Sequence, residues 1–423
     1  MSSANPGLAY QDTPPLSAPL RFFLTAPLFG LAAGLVLLFD AELLSSRWTP
    51  GALAVVHLFA AGFMLQVMLG ALLQILPVAA GAALPAPRRI AATTHALLAF
   101  GAASLSLGLG AGIPAAIVTG AMLLAGGLVA FLASSLIALA KAAPNHGASR
   151  TPRDLRLALA GLTVATLLGT LLAFALGRGL ALPIDLPTAV DMHAVWAWMG
   201  WGGILLAATS WVVVPMFQIT PSYPAVFTRV WSPATLALLA LWSICMISGL
   251  STGALLCGIG LLIAAAAFSL QTLRLQMRSR RGVPDAPFRA FRLAMLALLA
   301  SLGVLLLAQF HDGSQWPVLA GVLILHGTFV GTISAMLYKI VPFLAWLNLT
   351  QSGVRAPNVK KLLPDPPVRR QLQLHAVALC ALCAAAVIPA MAPLAGVLIV
   401  AEFSWLFVNL VHVVRAWHRA STL

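Results

Sequence analysis

Pro50-Gly-Ala-Leu-Ala-Val-Val-His57-Leu-Phe-Ala-Ala-Gly62-Phe63-Met-Leu-Gln66-Val-Met-Leu-Gly70-Ala-Leu-Leu-Gln74-Ile-Leu-Pro77 is 28 residues long and holds no Asp, Glu, Lys or Arg. About 20 apolar residues suffice for a helix to cross a hydrocarbon core of about 30 Å, so this stretch predicts a membrane span with residues to spare. Its polar members are few: one histidine near the start, two glutamines, and a proline at the end. In lipid such groups are costly, and each asks for a partner or a function.

The chain around it has the same character. Its 423 residues are 61% hydrophobic and 8% charged, with a mean hydropathy of +0.98, against about 25% charged in soluble domains. Apolar stretches fall near 20–40, 50–79, 91–108, 113–140, 155–177, 189–217, 229–249, 252–272, 289–309, 317–347, 371–391 and 394–417. They predict an all-α integral membrane protein of about twelve helices, with tails at 1–19 and 418–423 flanking one transmembrane domain at 20–417.

A formal net charge of +14 would suit a nucleic-acid binder, but the placement of the charges excludes that partner. Arg88 and Arg89, the Lys141–Arg156 group, Arg229, the Arg274–Arg292 group, Arg355–Arg370, and Arg415 with Arg419 follow even-numbered spans, whereas only Arg47 and Arg178 follow odd ones. The positive-inside rule then puts both ends in the cytoplasm of a bacterial-type inner membrane. Met1–Leu20 lacks the basic start of a signal peptide and reads as a short cytoplasmic tail. The longer loops are basic and proline-rich, and none could hold a soluble catalytic domain. Any chemistry is therefore expected inside the bundle or at its outer mouth.

The opening pattern returns twice. His193-Ala-Val-Trp196-Ala-Trp198-Met-Gly200-Trp201 leads to Pro215, and His326-Gly327-Thr328 leads to Pro342. In both Gly62-Phe63 and Gly200-Trp201 the glycine stands 15 and the aromatic residue 14 residues before the proline, while the third copy has Thr328 at the aromatic position. These are the second, sixth and tenth spans, which predicts a pseudo-three-fold (4+4+4) bundle. At 1.5 Å per residue the histidines lie roughly 30, 33 and 24 Å from their prolines. All three would then lie toward the outer face and could serve one site or two adjacent ones.

Neutral imidazole is a common ligand for haem iron, copper and zinc. His57, His193 and His326 are therefore candidate metal ligands. Gly62, Phe63 and Trp201 are candidate contacts to a flat macrocycle, since glycine permits close approach. A hydrogen-bonded helix contact is the alternative for any single histidine. Glu402, the only acidic residue well inside a span, could serve a proton path or sit as a neutral carboxyl bonded to a neighbouring helix. Asp191 could orient a ligand or cap a helix. Lys339 is expected to snorkel to the interface. The remaining histidines (His95, His146, His311, His375, His418) read mostly as interfacial or solvated, and His412 is ten residues from Glu402, too far to pair with it. All four cysteines lie in predicted spans, which excludes an extracellular disulfide framework; Cys380-x-x-Cys383 reads as packing in preference to metal binding.

Helices two, six and ten of twelve, each with histidine, glycine and a terminal proline, resemble the catalytic subunit of haem–copper oxidases. They are also similar to the NnrS-type membrane proteins linked to nitric oxide metabolism. The resemblance implies a low-spin haem of b type on His57, a copper ligand at His193 and a haem ligand at His326. It also implies contact with respiratory-chain proteins. Helix seven has no histidine and helix six lacks the His-Pro-Glu-Val-Tyr-like segment, so a complete copper site and oxygen reduction are not expected. Helix two carries Val55 and Leu58 where a His-x-His-Glu motif would need other residues. Two other classes fit the composition: a secondary transporter of a small solute or metal, and an assembly subunit of a respiratory complex.

Overall fold

The computed structural model describes residues 13–142, 150–354 and 356–422. His146, Arg355 and most of the expected N-terminal tail lie outside them. Among the described residues there is no strand, and twelve helices are long and apolar enough to cross a membrane. They are α1 (Ser17–Phe39), α2 (Pro50–Ala80), α3 (Pro87–Ala111), α4 (Pro114–Lys141), α5 (Thr151–Arg178), α6 (Leu186–Gln218), α7 (Ala225–Ile247), α8 (Ser251–Met277), α9 (Ala286–Leu307), α10 (Gln315–Gln351), α11 (Asp365–Val387) and α12 (Pro389–Ser421). The protein is an all-α, multi-pass membrane protein.

Local chemistry sets several of the helix starts. Thr49 accepts from the amide of Ala52 at the head of α2, Asp185 from Thr188 at α6, and Asp285 from Phe288 at α9. Each cap is followed by a proline in the first helical turn, where its missing N–H costs nothing. Asp185, rather than Asp191, is thus the cap of α6. The carboxyl of Asp185 is held below the usual carboxylate range by the Thr188 amide it accepts from.

The three repeat helices share a further device. Each carries one π-helical segment: Leu58–Met64 in α2, Trp196–Gly203 in α6 and Leu323–Val330 in α10. Gly62, Gly200 and Gly327 are each the fifth residue of their segment, and each stands 15 residues before its proline. The internal repeat is therefore carried by glycine, proline and a widened turn. The histidines do not share that register: they precede the glycine by five, seven and one residues. π-turns inside α-helices recur at functional sites, because the extra residue re-aims the side chains around it.

The helices group into two compact units. One comprises Leu72–Leu97 and Pro114–Arg281 with the segment ending at Pro14; the other comprises Pro15–Ala71, Leu98–Ile113 and Gly282–Leu423. In the first unit α5 and α6 meet backbone to backbone, since a Cβ on Gly161 would lie 2.1 Å from the Gly200 carbonyl oxygen. Buried polar groups there are paired across helices: Trp196 Nε1 donates to Ser243, Gln276 to Gln218, and Trp211 Nε1 to Asp154.

In the second unit α1 lies antiparallel to α12 along a glycine seam. A Cβ on Gly30 would strike Phe403 at 2.2 Å, one on Gly34 would lie 2.7 Å from the Val400 nitrogen, and one on Gly396 would lie 2.5 Å from the Leu38 nitrogen. Lipid tails are as apolar as leucine, so helices in a bilayer gain from close packing and not from apolar burial, which is why small residues line such contacts. The seam fixes α12, and α12 carries Glu402.

Candidate metal centre

Glu402, on α12, is fully buried, and two other spans of the second unit bring histidines to its carboxylate. His326, from the π-segment of α10, places Nε2 3.0 Å from Oε2. His375, from α11, places Nδ1 2.8 Å from Oε1. The two imidazoles stack with centroids 4.6 Å apart and planes 30° apart. His326 is 2% exposed and His375 0%. The ligand atoms of the three residues lie within 4.8 Å of one another, the only group of three or more such residues among those described that could hold a metal ion.

A carboxylate accepts and an imidazole N–H donates, so each histidine directs its proton toward Glu402. Each ring then keeps one bare nitrogen. Nδ1 of His326 and Nε2 of His375 have no hydrogen-bond partner. Buried polar atoms without partners are rare in folded proteins and call for an ion, a water or a strained function.

The walls of the centre are aromatic and small. Phe59 of α2 meets the His326 ring edge-on at 5.9 Å and Phe403 at 5.7 Å, and Phe63 meets Phe403 at 5.1 Å. Gly331 makes room for α11: a Cβ there would lie 3.1 Å from His375 Nε2 and 3.2 Å from the Ala294 methyl.

His326 and Glu402, both singled out from the sequence, are brought together; His375, read as interfacial, completes the site and corrects that expectation. It lies ten residues beyond Asp365, about 15 Å along its helix, and Gln371 four residues earlier marks a buried polar stripe. The depth along α11 and that spacing were the signals available.

The other candidates are engaged elsewhere. His57 stands next to the π-segment of α2 with Nδ1 bonded to the Leu53 carbonyl at 2.8 Å, outside the three-residue group. In the first unit His193 meets the Ala165 carbonyl through Nδ1 at 3.0 Å, and Gly169 leaves the space its ring fills. The positions expected to cradle a macrocycle are taken by the chain itself. A Cβ on Gly62 would lie 2.4 Å from Phe29, Phe63 packs on Phe403, and Gly200 abuts Gly161 and Trp196. Trp201 is buried in the π-segment of α6.

Lys339 pairs with Asp285, the cap of α9. Cys380 is exposed, and Cys383 is half-buried against the Ala297–Leu323–Leu379 cluster. No family model matches the chain, and no curated protein is similar to it in sequence, so the reading of this centre rests on its own geometry.

Proposed function

We propose that this protein is a multi-pass membrane protein that holds a divalent transition-metal ion at His326, His375 and Glu402. The observation that carries the reading is a carboxylate between two imidazoles, delivered by three separate spans, with a bare nitrogen left on each ring. Two histidines and one carboxylate are the donor set of catalytic zinc sites and of non-haem iron centres, and imidazole also suits copper. A divalent ion would offset the buried negative charge that the membrane otherwise opposes.

Copper, which the resemblance implied at His193, is one of the ions we propose for the triad. Haem is not favoured, because the glycine faces assigned to it are filled. We place both ends on the cytoplasmic side on the strength of the basic loops, and a role in respiratory or nitric oxide metabolism rests on the resemblance alone. A carrier of a small solute or metal is the competing reading, favoured by the presence of an ionisable group within the spans.

The test is metal analysis of the purified protein after separate incubation with Zn2+, Cu2+ and Fe2+. One ion per chain is expected, falling to background in His326→Ala and His375→Ala but retained in His193→Ala. A protein that retains none of the three ions after desalting sinks the proposal. A Soret band abolished by His57→Ala would favour haem instead. Flux of the same ion into proteoliposomes would favour the carrier.

A further inference from the structure

Gln371 is a fully buried polar residue beside the triad to which no role has yet been given. It stands one turn before His375 on α11, and helical side chains lean toward the N-terminus of their own helix, which brings the His375 ring back toward it. Its Nε2 donates to the Glu402 main-chain oxygen at 3.4 Å, and its Oε1 has no partner. The Glu402 carbonyl fixes which way round the amide lies, because turning it over would set oxygen against oxygen. The bare end of Gln371 is therefore its oxygen.

With each imidazole proton directed at Glu402, three unpartnered atoms belong to this part of the bundle: His326 Nδ1, His375 Nε2 and Gln371 Oε1. All three offer lone pairs and none carries a hydrogen. The polar neighbours do not serve them. Thr328 and Thr332 donate to the Leu323 and Thr328 carbonyls of their own helix, Asn409 donates to Tyr338 and to the Pro367 carbonyl, and the Ser334 hydroxyl is itself without a partner. Phe59 of α2 and Ala294 of α9 bring only apolar surface to the histidines. Buried lone pairs without a donor are met by an ion or by water, and the carboxylate beside these favours a cation.

We propose that Gln371 is a fourth ligand, through Oε1, of the ion held at His326, His375 and Glu402. The inference rests on the triad reading and deepens it. Two nitrogens and two oxygens, all from the protein, fill the four positions that zinc prefers, which is the closed arrangement of structural zinc sites and not the open one of catalytic sites. The amide oxygen also widens the choice of ion. Carbonyl and carboxylate oxygens suit Mn2+, whereas imidazole suits zinc, copper and iron. Removing the Gln371 oxygen leaves a set dominated by nitrogen, so Mn2+ loses more than Zn2+ does.

The experiment titrates chelator-stripped full-length protein with Mn2+ and with Zn2+. Gln371→Leu should bind Mn2+ about ten-fold or more weakly than wild type, with a smaller loss for Zn2+. Gln371→Glu keeps an oxygen for the ion but cannot donate to the Glu402 main chain, so it should retain Mn2+ binding. A residue that served only to hold the Glu402 backbone would give the opposite result, with glutamate as poor as leucine. Pulsed electron paramagnetic resonance of bound Mn2+ in D2O should show an additional water ligand in Gln371→Leu, where the amide oxygen has left its position. Gln66→Leu removes an equally buried glutamine from α2 and should bind both ions as wild type does. Unchanged Mn2+ affinity and water count in Gln371→Leu, failure of Gln371→Glu to retain binding, or an equal loss in Gln66→Leu overturns the assignment. Should Gln371→Glu not fold by circular dichroism, the water count in Gln371→Leu decides alone. A wild-type protein that binds neither ion sinks the triad reading and this one with it, whereas an ion held equally well by Gln371→Leu sinks only the fourth ligand.

Discussion

Replacing Glu402 by glutamine and by alanine gives different expected losses, and the difference follows from the hydrogen bonds at the site. In the wild type two imidazole N–H groups donate to one carboxylate at 3.0 and 2.8 Å. Alanine leaves both donors buried without an acceptor. On the scale of soluble proteins each costs about 1–3 kcal/mol, or about 2–6 kcal/mol for the pair. If the bilayer average of about 0.6 kcal/mol per bond applies, the loss is still about 1 kcal/mol. Glutamine keeps the shape and one acceptor; the second imidazole accepts from the amide after a change of tautomer, at a cost of about 1 kcal/mol. Unfolding of purified protein in mixed micelles of increasing SDS fraction, followed by tryptophan fluorescence, should therefore rank wild type, Glu402→Gln and Glu402→Ala in falling stability. Metal affinity should fall in both variants by more than the about 10–100-fold typical of residues one step removed from a metal. Glu402→Ala unfolding at the wild-type SDS fraction with undiminished metal content would refute the reasoning, because the carboxylate would then neither organise the imidazoles nor bind the ion.

Four further outcomes are expected. Gly331→Ala, which crowds His375 Nε2 at 3.1 Å, should weaken metal binding while leaving the fold intact by circular dichroism; unchanged affinity would mean that this nitrogen is not used. Gly34→Val should destabilise the α1–α12 seam by about 1–3 kcal/mol, the usual cost of overpacking, read from the same SDS titration, whereas Gly126→Ala, which meets no atom within 4 Å, should be neutral. Acidification should release the ion as protons compete for the imidazoles, and metal content that holds steady down to pH 4 would argue against histidine ligation. Asp185 has a lowered pKa, so its contribution to the start of α6 is present above the ordinary carboxylate pKa and lost as pH falls through the lowered value. Amide exchange at Thr188 should rise over that acidic range in the wild type but not in Asp185→Asn.

The spans could be read from composition because twenty-residue apolar runs are long signals, and α2, α6 and α10 begin and end within a few residues of the ranges expected. Caps sharpened the starts: α6 begins earlier than its apolar run because Asp185 and Pro187 form its first turn. The site was legible only in part. Glu402 stood out as a lone carboxyl in a span, and His326 as a polar residue near a repeated glycine. His375 did not, because its burial depends on α10 and α12 closing over it, and contacts between neighbouring helices leave only a faint local signal, its depth along α11 and its spacing from Gln371. The repeat misled for a related reason: glycine and proline keep its backbone register, while the histidines stand at three different offsets and make three different contacts. Lys339 was read as snorkelling because its partner, Asp285, caps a different helix 54 residues away.

The antiparallel glycine seam also bears on biosynthesis. Among the twelve described spans α1 is made well before α12, so α1 waits in the bilayer with its small-residue face uncovered while the ten helices between them are threaded. Glu402 arrives on α12. A chain stalled before α12 therefore displays two imidazoles with no carboxylate and an unpaired first span together. The centre therefore forms only after α12 has been made.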